Sequence, residues 1–151
     1  MEIKEVTANK KRYLSLLLLA DEQENMIDRY LERGTMFVLT DGGEIKGECV
    51  VTDEGDGILE LKNLAVEPAC HRMGYGKALI EFVAARYRGR YSILQVGTGD
   101  SPLTVPFYER CGFTRSHKVE NFFTEHYDHP IYESGVQLVD MVYLRRKLST
   151  L

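Results

Sequence analysis

The stretch that most limits what this chain can become runs from Ile58 to Val96. It opens with the apolar run "ILELKNLAV", breaks at Pro68, and passes through "CHRMGYGKAL", where Gly74 and Gly76 stand two apart between basic side chains. Ala78, Leu79, Phe82 and Val83 then form the apolar stripe of a helix reaching about Tyr87, and Tyr91 to Val96 reads as a strand. Strand, helix and strand in that order give two parallel strands joined by a right-handed crossover. The loop between them is unusual. Its glycines remove side chains where the backbone must turn tightly, and the helix behind them presents unpaired N–H groups and the positive end of its dipole. Amides converging in this way cradle an anion, and Arg72 and Lys77 add positive charge that suits a diphosphate. Neither common nucleotide loop fits, because no Ser or Thr follows Lys77 and the third glycine of G-x-G-x-x-G is missing. On the loop alone, a glycine-rich turn with no ligand stands on equal terms.

The rest of the chain supplies the context. At 151 residues it is one domain's worth, with no repeat and no Pro/Gly/Ser linker to divide it. Its net charge of −4 argues against a general nucleic-acid binder and suits a cationic substrate. Cys49, Cys70 and Cys111 make neither an even disulfide framework nor a C-x-x-C pair, which fits a reducing compartment. The apolar run from Leu14 to Ala20 falls short of the ~20 residues of a membrane span, and no basic leader with a cleavage site opens the chain. A cytoplasmic protein with no membrane partner is expected.

A short strand is expected over Glu2 to Val6, followed by two helices. Leu14, Leu17 and Leu18 mark the first, and Met26, Ile27, Tyr30 and Leu31 the second, with Gly34 placed to end it. Strands over Thr35 to Thr40, Glu44 to Thr52 and Ile58 to Val66 form a hairpin meander. Beyond Val96 come a short helix around Phe107 to Cys111, a strand from Phe113, an aromatic-rich loop from Phe122 to Ser134 and a last strand near Val136 to Leu144. The expected fold class is α/β with a mixed sheet.

"LELKNLAVEPACHRMGYGKALIEFVAARY", followed after the next strand by "FYERCGF", resembles the Gcn5-related N-acetyltransferase (GNAT) family. That family's signature is an apolar strand ending in a proline turn, then Gln or Arg, two residues, Gly, one residue, and Gly or Ala. The order of elements agrees over nearly the whole chain, which makes residues 1–151 a single domain of this kind. The resemblance implies an acyl-CoA N-acyltransferase fold: a mixed, mostly antiparallel sheet with splayed central parallel strands, flanked by helices. Acetyl-coenzyme A (acetyl-CoA) would lie in the wedge. Its diphosphate would rest on the amides of His71, Arg72, Met73, Gly74, Tyr75, Gly76 and Lys77. Its pantetheine arm would pair with the backbone of Leu64, Ala65 and Val66 like an added strand. Two positions depart from the pattern: His71 stands where Gln or Arg is usual, and Asp100 or Ser101 stands where many members carry Asn near the pantetheine.

Acetyl transfer to an amine needs a proton acceptor, a donor to the developing oxyanion, and an acid for the leaving thiolate. By the resemblance Tyr108 is the acid, although Phe107 and Phe113 beside it also suit a core tyrosine. A backbone N–H at or beside Leu64 is the oxyanion donor. Glu60 is the candidate base, since it lies five positions before Ala65, where histone-acetylating relatives place their glutamate. Strand alternation puts Glu60, Lys62, Leu64 and Val66 on one face and Leu61, Asn63 and Ala65 on the other. A plain Glu60–Lys62 ion pair stands against the base role on equal terms, because a close ammonium makes a carboxylate a poorer proton acceptor. A water relay is the alternative. Some relatives use a glutamate on the fifth strand, where this chain has Gln95.

Other clusters carry less. The H-x-x-H of His126 and His129 matches no strong zinc pattern, so no metal is expected, and Cys111 has no partner of known type. Phe122, Phe123, Tyr127 and Tyr132 suit an aromatic wall for an amine, but suit a lid on the sheet rather better. Glu125, Asp128 and Glu133 suit an ammonium or a charged surface equally. The partners implied are acetyl-CoA and an amine acceptor, with oligomeric state open, a homodimer included. Two functions follow: an N-acetyltransferase acting on a primary amine of a small molecule or peptide by direct attack in a ternary complex, or a non-catalytic acyl-CoA-binding sensor or interaction module.

Overall fold

The architecture comes from a computed structural model, which describes residues 1–148. After β1 (Glu2–Val6) the chain makes a 3-10 turn and the helix α1 (Leu14–Ala20), then the single turn α2 (Glu24–Ile27), which runs as turns toward Gly34. The second helix is thus shorter than its apolar spacing suggests. Strands β2 (Thr35–Asp41), β3 (Glu44–Asp53) and β4 (Ile58–Val66) form the meander, and α3 (Tyr75–Tyr87) returns the chain to β5 (Ile93–Gly99). Helix α4 (Val105–Arg110), β6 (Thr114–Val119), α5 (Phe122–His126), the two-residue strands β7 (Tyr132–Glu133) and β8 (Val136–Gln137), and β9 (Met141–Lys147) complete it. The expected aromatic loop therefore holds a helix and a small hairpin, and the last strand starts five residues later than Val136. Pro106 sits in the first turn of α4, where its missing N–H costs no helical bond.

Seven strands form one sheet in the order β1-β2-β3-β4-β5-β9-β6, and every neighbouring pair is antiparallel except β4 and β5. That parallel pair is the one the strand–helix–strand passage requires. On one face, α3 and α4 pack against Phe37, Leu39, Leu61, Val96 and Leu144 in the main core. On the other, α1 and the segment through Leu31 cover Met36, Val38 and Val50. Phe123, Ile131 and Leu138 form a small third core, with Phe122 and Tyr127 half-buried against it. Most of the aromatic segment is thus a lid, while Tyr132 is exposed.

The face assignment drawn from simple alternation along β4 is corrected here. Val50 pairs with Asn63 but Val51 pairs with Leu61, so Lys62 is an extra residue, a β-bulge. The bulge resets the alternation. Leu59, Leu61, Leu64 and Val66 all join the α3 core, whereas Glu60, Asn63 and Ala65 take the α1 face.

Helix α3 is held by Leu79, Ile80 and Val83, which are fully buried. Leu79→Ala leaves a cavity beneath the first turns of the helix and should destabilise the fold by about 2–5 kcal/mol, read as a lower denaturant midpoint at an unchanged slope.

Candidate active site

Strands β4 and β5 pair over four residues each, ending at Leu61↔Val96. Beyond that point β4 continues to Val66 and β5 to Gly99 without pairing, so a wedge opens between them. The ladders determine what faces it. The Glu67 N–H donates to the Lys46 carbonyl at 2.8 Å, which in an antiparallel pair turns the main chain of residues 63, 65 and 67 toward β3. Leu64 and Val66 therefore direct their N–H and C=O groups into the wedge, and Ala65 spends its own on β3. Of the three residues expected to pair with a pantetheine arm, two present main-chain groups and the third presents none. On the opposite wall, the Leu148 N–H donates to Ser92 at 2.9 Å, and by the same alternation Gly97 and Gly99 turn their main chain inward.

The loop from His71 to Lys77 crosses the mouth of the wedge. Arg72 (φ 66) and Gly74 (φ 85) both adopt the left-handed region, which curls the backbone before α3 begins at Tyr75. A side chain at Gly74 would meet open space, so its conformation and not crowding calls for glycine. Gly76 differs: a Cβ there would lie 3.0 Å from the Phe107 ring, so its glycine lets α3 approach α4. The Tyr75 hydroxyl donates to Asp41 at 2.8 Å and ties the helix start to the β2–β3 turn. His71, Arg72, Met73 and Lys77 are exposed, and His71 Nε2 lies 3.0 Å from the Val66 carbonyl, at the end of the wedge edge. The loop thus carries two exposed cations, Arg72 and Lys77, and its His71 N–H donates to the Pro68 carbonyl at 3.4 Å.

Tyr108 is buried on α4 against the rings of Phe107 and Phe113, at centroid separations of 5.1 and 5.6 Å. Burial pushes its phenol well above the ordinary tyrosine range, and the charges of Cys111, Glu133 and Glu48 push the same way. Such a phenol keeps its proton at neutral pH. Asp100 is exposed and accepts from Arg115 at 3.2 Å, while buried Ser101 accepts from the Leu103 N–H at 3.0 Å and shapes the turn into α4. Neither holds a free amide group such as Asn would offer.

Glu60 lies where β4 and β5 still pair, below the wedge. It is buried, accepts from Gln95 Nε2 at 2.6 Å, and forms an ion pair with Lys62 at 2.8 Å. Gln95 in turn accepts from Arg145 at 2.8 Å. The arrangement is the ion pair that stood against the base role.

A second buried carboxyl escaped the sequence reading. Glu48 on β3 is fully buried on the α1 face, opposite Val38 and Ala65, and neither oxygen has a protein partner. Burial raises its pKa well above the ordinary Glu range, with the Ala65 amide opposing this in part. Beside it, Asn63 donates to the Leu17 carbonyl (3.1 Å) and to Tyr30 (3.0 Å), and Tyr30 and Tyr127 both donate to Asp21. A polar track thus joins the α1–α2 turn to the aromatic lid. Its one sequence signal was an acid in step with Val50 within "GECVV".

Known proteins resemble this chain in sequence and fold. A model of the GNAT acetyltransferase domain matches residues 32–115. The uncharacterized N-acetyltransferase YvbK of Bacillus subtilis is 34% identical over 131 residues, covering 85% of this chain and 84% of that protein. A GNAT family acetyltransferase from Elizabethkingia anophelis, solved with acetyl-CoA bound, superposes with a TM-score of 0.91 at 32% identity over 97% of both chains. A Bacillus subtilis acetyltransferase in complex with CoA gives 0.85 at 32% identity, over 97% of this chain and 98% of that one. With more than half its length matched by the family model, this chain belongs to the GNAT family of acetyltransferases.

Proposed function

We propose that this acetyl-CoA-dependent acetyltransferase acetylates the primary amine of a small molecule or peptide by direct attack in a ternary complex. The observation that carries the reading is the wedge beside Leu64 and Val66. It opens where the β4–β5 pairing stops, along the edge of β4 that faces away from β3, so a thioester arm can lie beside it. Acetyl-CoA supplies the acetyl group as an activated thioester.

The remaining work falls to the chain. The amides of residues 71–77, with Arg72 and Lys77, hold the diphosphate. Leu64 and Val66 give the pantetheine arm a strand edge, which confers affinity without fixing side chains. The Leu64 N–H is the donor for the oxygen that gains charge during attack. Tyr108 holds its proton until sulfur leaves, since burial disfavours the phenolate. Glu60 is bound on two sides and keeps the strand pair closed below the wedge.

In Tyr108→Phe, kcat should fall by about 100- to 10,000-fold while coenzyme affinity persists, measured by turnover on an amine panel beside calorimetric binding. Binding without turnover on any amine, even in the wild type, would instead favour the sensor reading. Initial velocities should give intersecting lines when both substrates vary; parallel lines would mark a covalent acetyl-enzyme. Charge reversal at Arg72 and Lys77 should weaken coenzyme binding, more at low salt than at high, and an unchanged affinity would contradict the cradle.

A further inference from the structure

Among the described residues, three buried side-chain polar atoms lack a hydrogen-bond partner: Oε1 and Oε2 of Glu48 and Oδ1 of Asn63. When Glu48 is ionised, all three are acceptors on one patch of the sheet. Glu48 pairs with Ala65 and Val50 with Asn63, which makes the two side chains diagonal neighbours on the α1 face. Reversing the Asn63 amide does not help, because its Nδ2 is needed by the Leu17 carbonyl. A native fold that leaves a carboxyl and an amide oxygen unmatched gives up stability at that point. The complement of three acceptors is a group with three N–H donors and no lone pair, which describes a primary ammonium.

We infer that Glu48 and Asn63 receive the ammonium of the acceptor and that Glu48 takes the proton that must leave before the nitrogen attacks; this rests on the amine-acetylation reading above. Position supports it. Ala65, between the wedge residues Leu64 and Val66, places only a methyl group opposite Glu48. The titratable groups around Glu48 are Tyr30 from the segment after α2, with Asp21 behind it, Tyr108 from α4 and Cys49 on β3 itself. Among the described residues none of these is a cation, so the arriving ammonium supplies the positive charge there. The ammonium gives one proton to Glu48, which releases it to solvent. The neutral nitrogen forms the C–N bond as the C–S bond breaks. The second nitrogen proton replaces the one Tyr108 gives to sulfur. One amide, one thiol and one free proton result.

The test compares wild type, Glu48→Gln, Glu48→Ala and Glu60→Gln on one panel of primary amines from about pH 6 to 9. Glu48→Gln should lose about 100- to 10,000-fold in kcat/KM at neutral pH and keep its coenzyme affinity. Its residual rate should climb about tenfold per pH unit, because only amine already deprotonated reacts. Formate should partly restore Glu48→Ala, and the rate of Glu60→Gln should rise with pH no more steeply than that of the wild type. Melting gives an independent sign. A raised carboxyl pKa means the folded state holds a proton above pH 4.5 that the unfolded chain has lost, so wild-type stability falls as pH rises from there. The Tm advantage of Glu48→Gln should therefore grow from pH 4.5 upward. Wild-type rates and pH profile in Glu48→Gln overturn the assignment and leave amine acetylation standing. Equal losses of Tm, coenzyme binding and rate in that variant mark a structural residue and also overturn it. A wild type that binds coenzyme but acetylates no amine overturns both.

Discussion

The parting of β4 from β5 is the constraint on which the rest depends. Four paired residues on each strand close the lower part of the sheet, and then both strands follow other neighbours. On β4, Lys62 is inserted as a bulge against β3, which adds local twist and carries the strand away. On β5, a Cβ at Gly97 would come within 2.9 Å of Met141 and Tyr143, and one at Gly99 within 2.5 Å of Leu138. Glycine at both positions lets that wall fold closely onto β9 and the segment before it. The gap is therefore built by close packing on each side and needs no missing element.

Main-chain groups exposed in this way would be a liability on an ordinary sheet edge, since unpaired strands recruit other strands. Here they lie inside the molecule, between α3 and α4 on one face and α1 on the other. The same backbone economy operates at the loop. Arg72 and Gly74 both take the left-handed region, which curls the chain just ahead of α3. The α1–α2 turn and the aromatic lid are joined by Tyr127 reaching Asp21 across 106 residues of chain.

Much of this was legible in the sequence, for reasons that can be stated. The crossover from β4 to β5 follows from period-2 and period-3.6 apolar patterns placed in order, and both signals are strong between Ile58 and Tyr87. The glycine loop was legible because a left-handed turn and a close helix approach both demand glycine, although the two glycines serve those demands separately. The bulge at Lys62 was not legible, because one extra residue changes no composition and no period until the partner strand is known. It misplaced Glu60 relative to Leu64. The helix in the aromatic segment was also missed, since five residues are too few to show a period.

Glu48 and Glu60 make the sharpest contrast in the molecule. Both are glutamates in central strands on the same face, and both are buried. Glu60 sits where the parallel ladder still holds, so Gln95 lies directly opposite, and the bulge brings Lys62 within an ion pair. Its charge is matched from within the chain. Glu48 sits one strand farther from β5, level with Ala65, where the ladder has already opened and, among the described residues, no side-chain donor pairs with it. Identical side chains are thus given opposite fates by where the β4–β5 pairing stops. A buried carboxyl left without a side-chain partner costs stability, offset in part by its raised pKa, and the proposed ammonium is the group that would complete it.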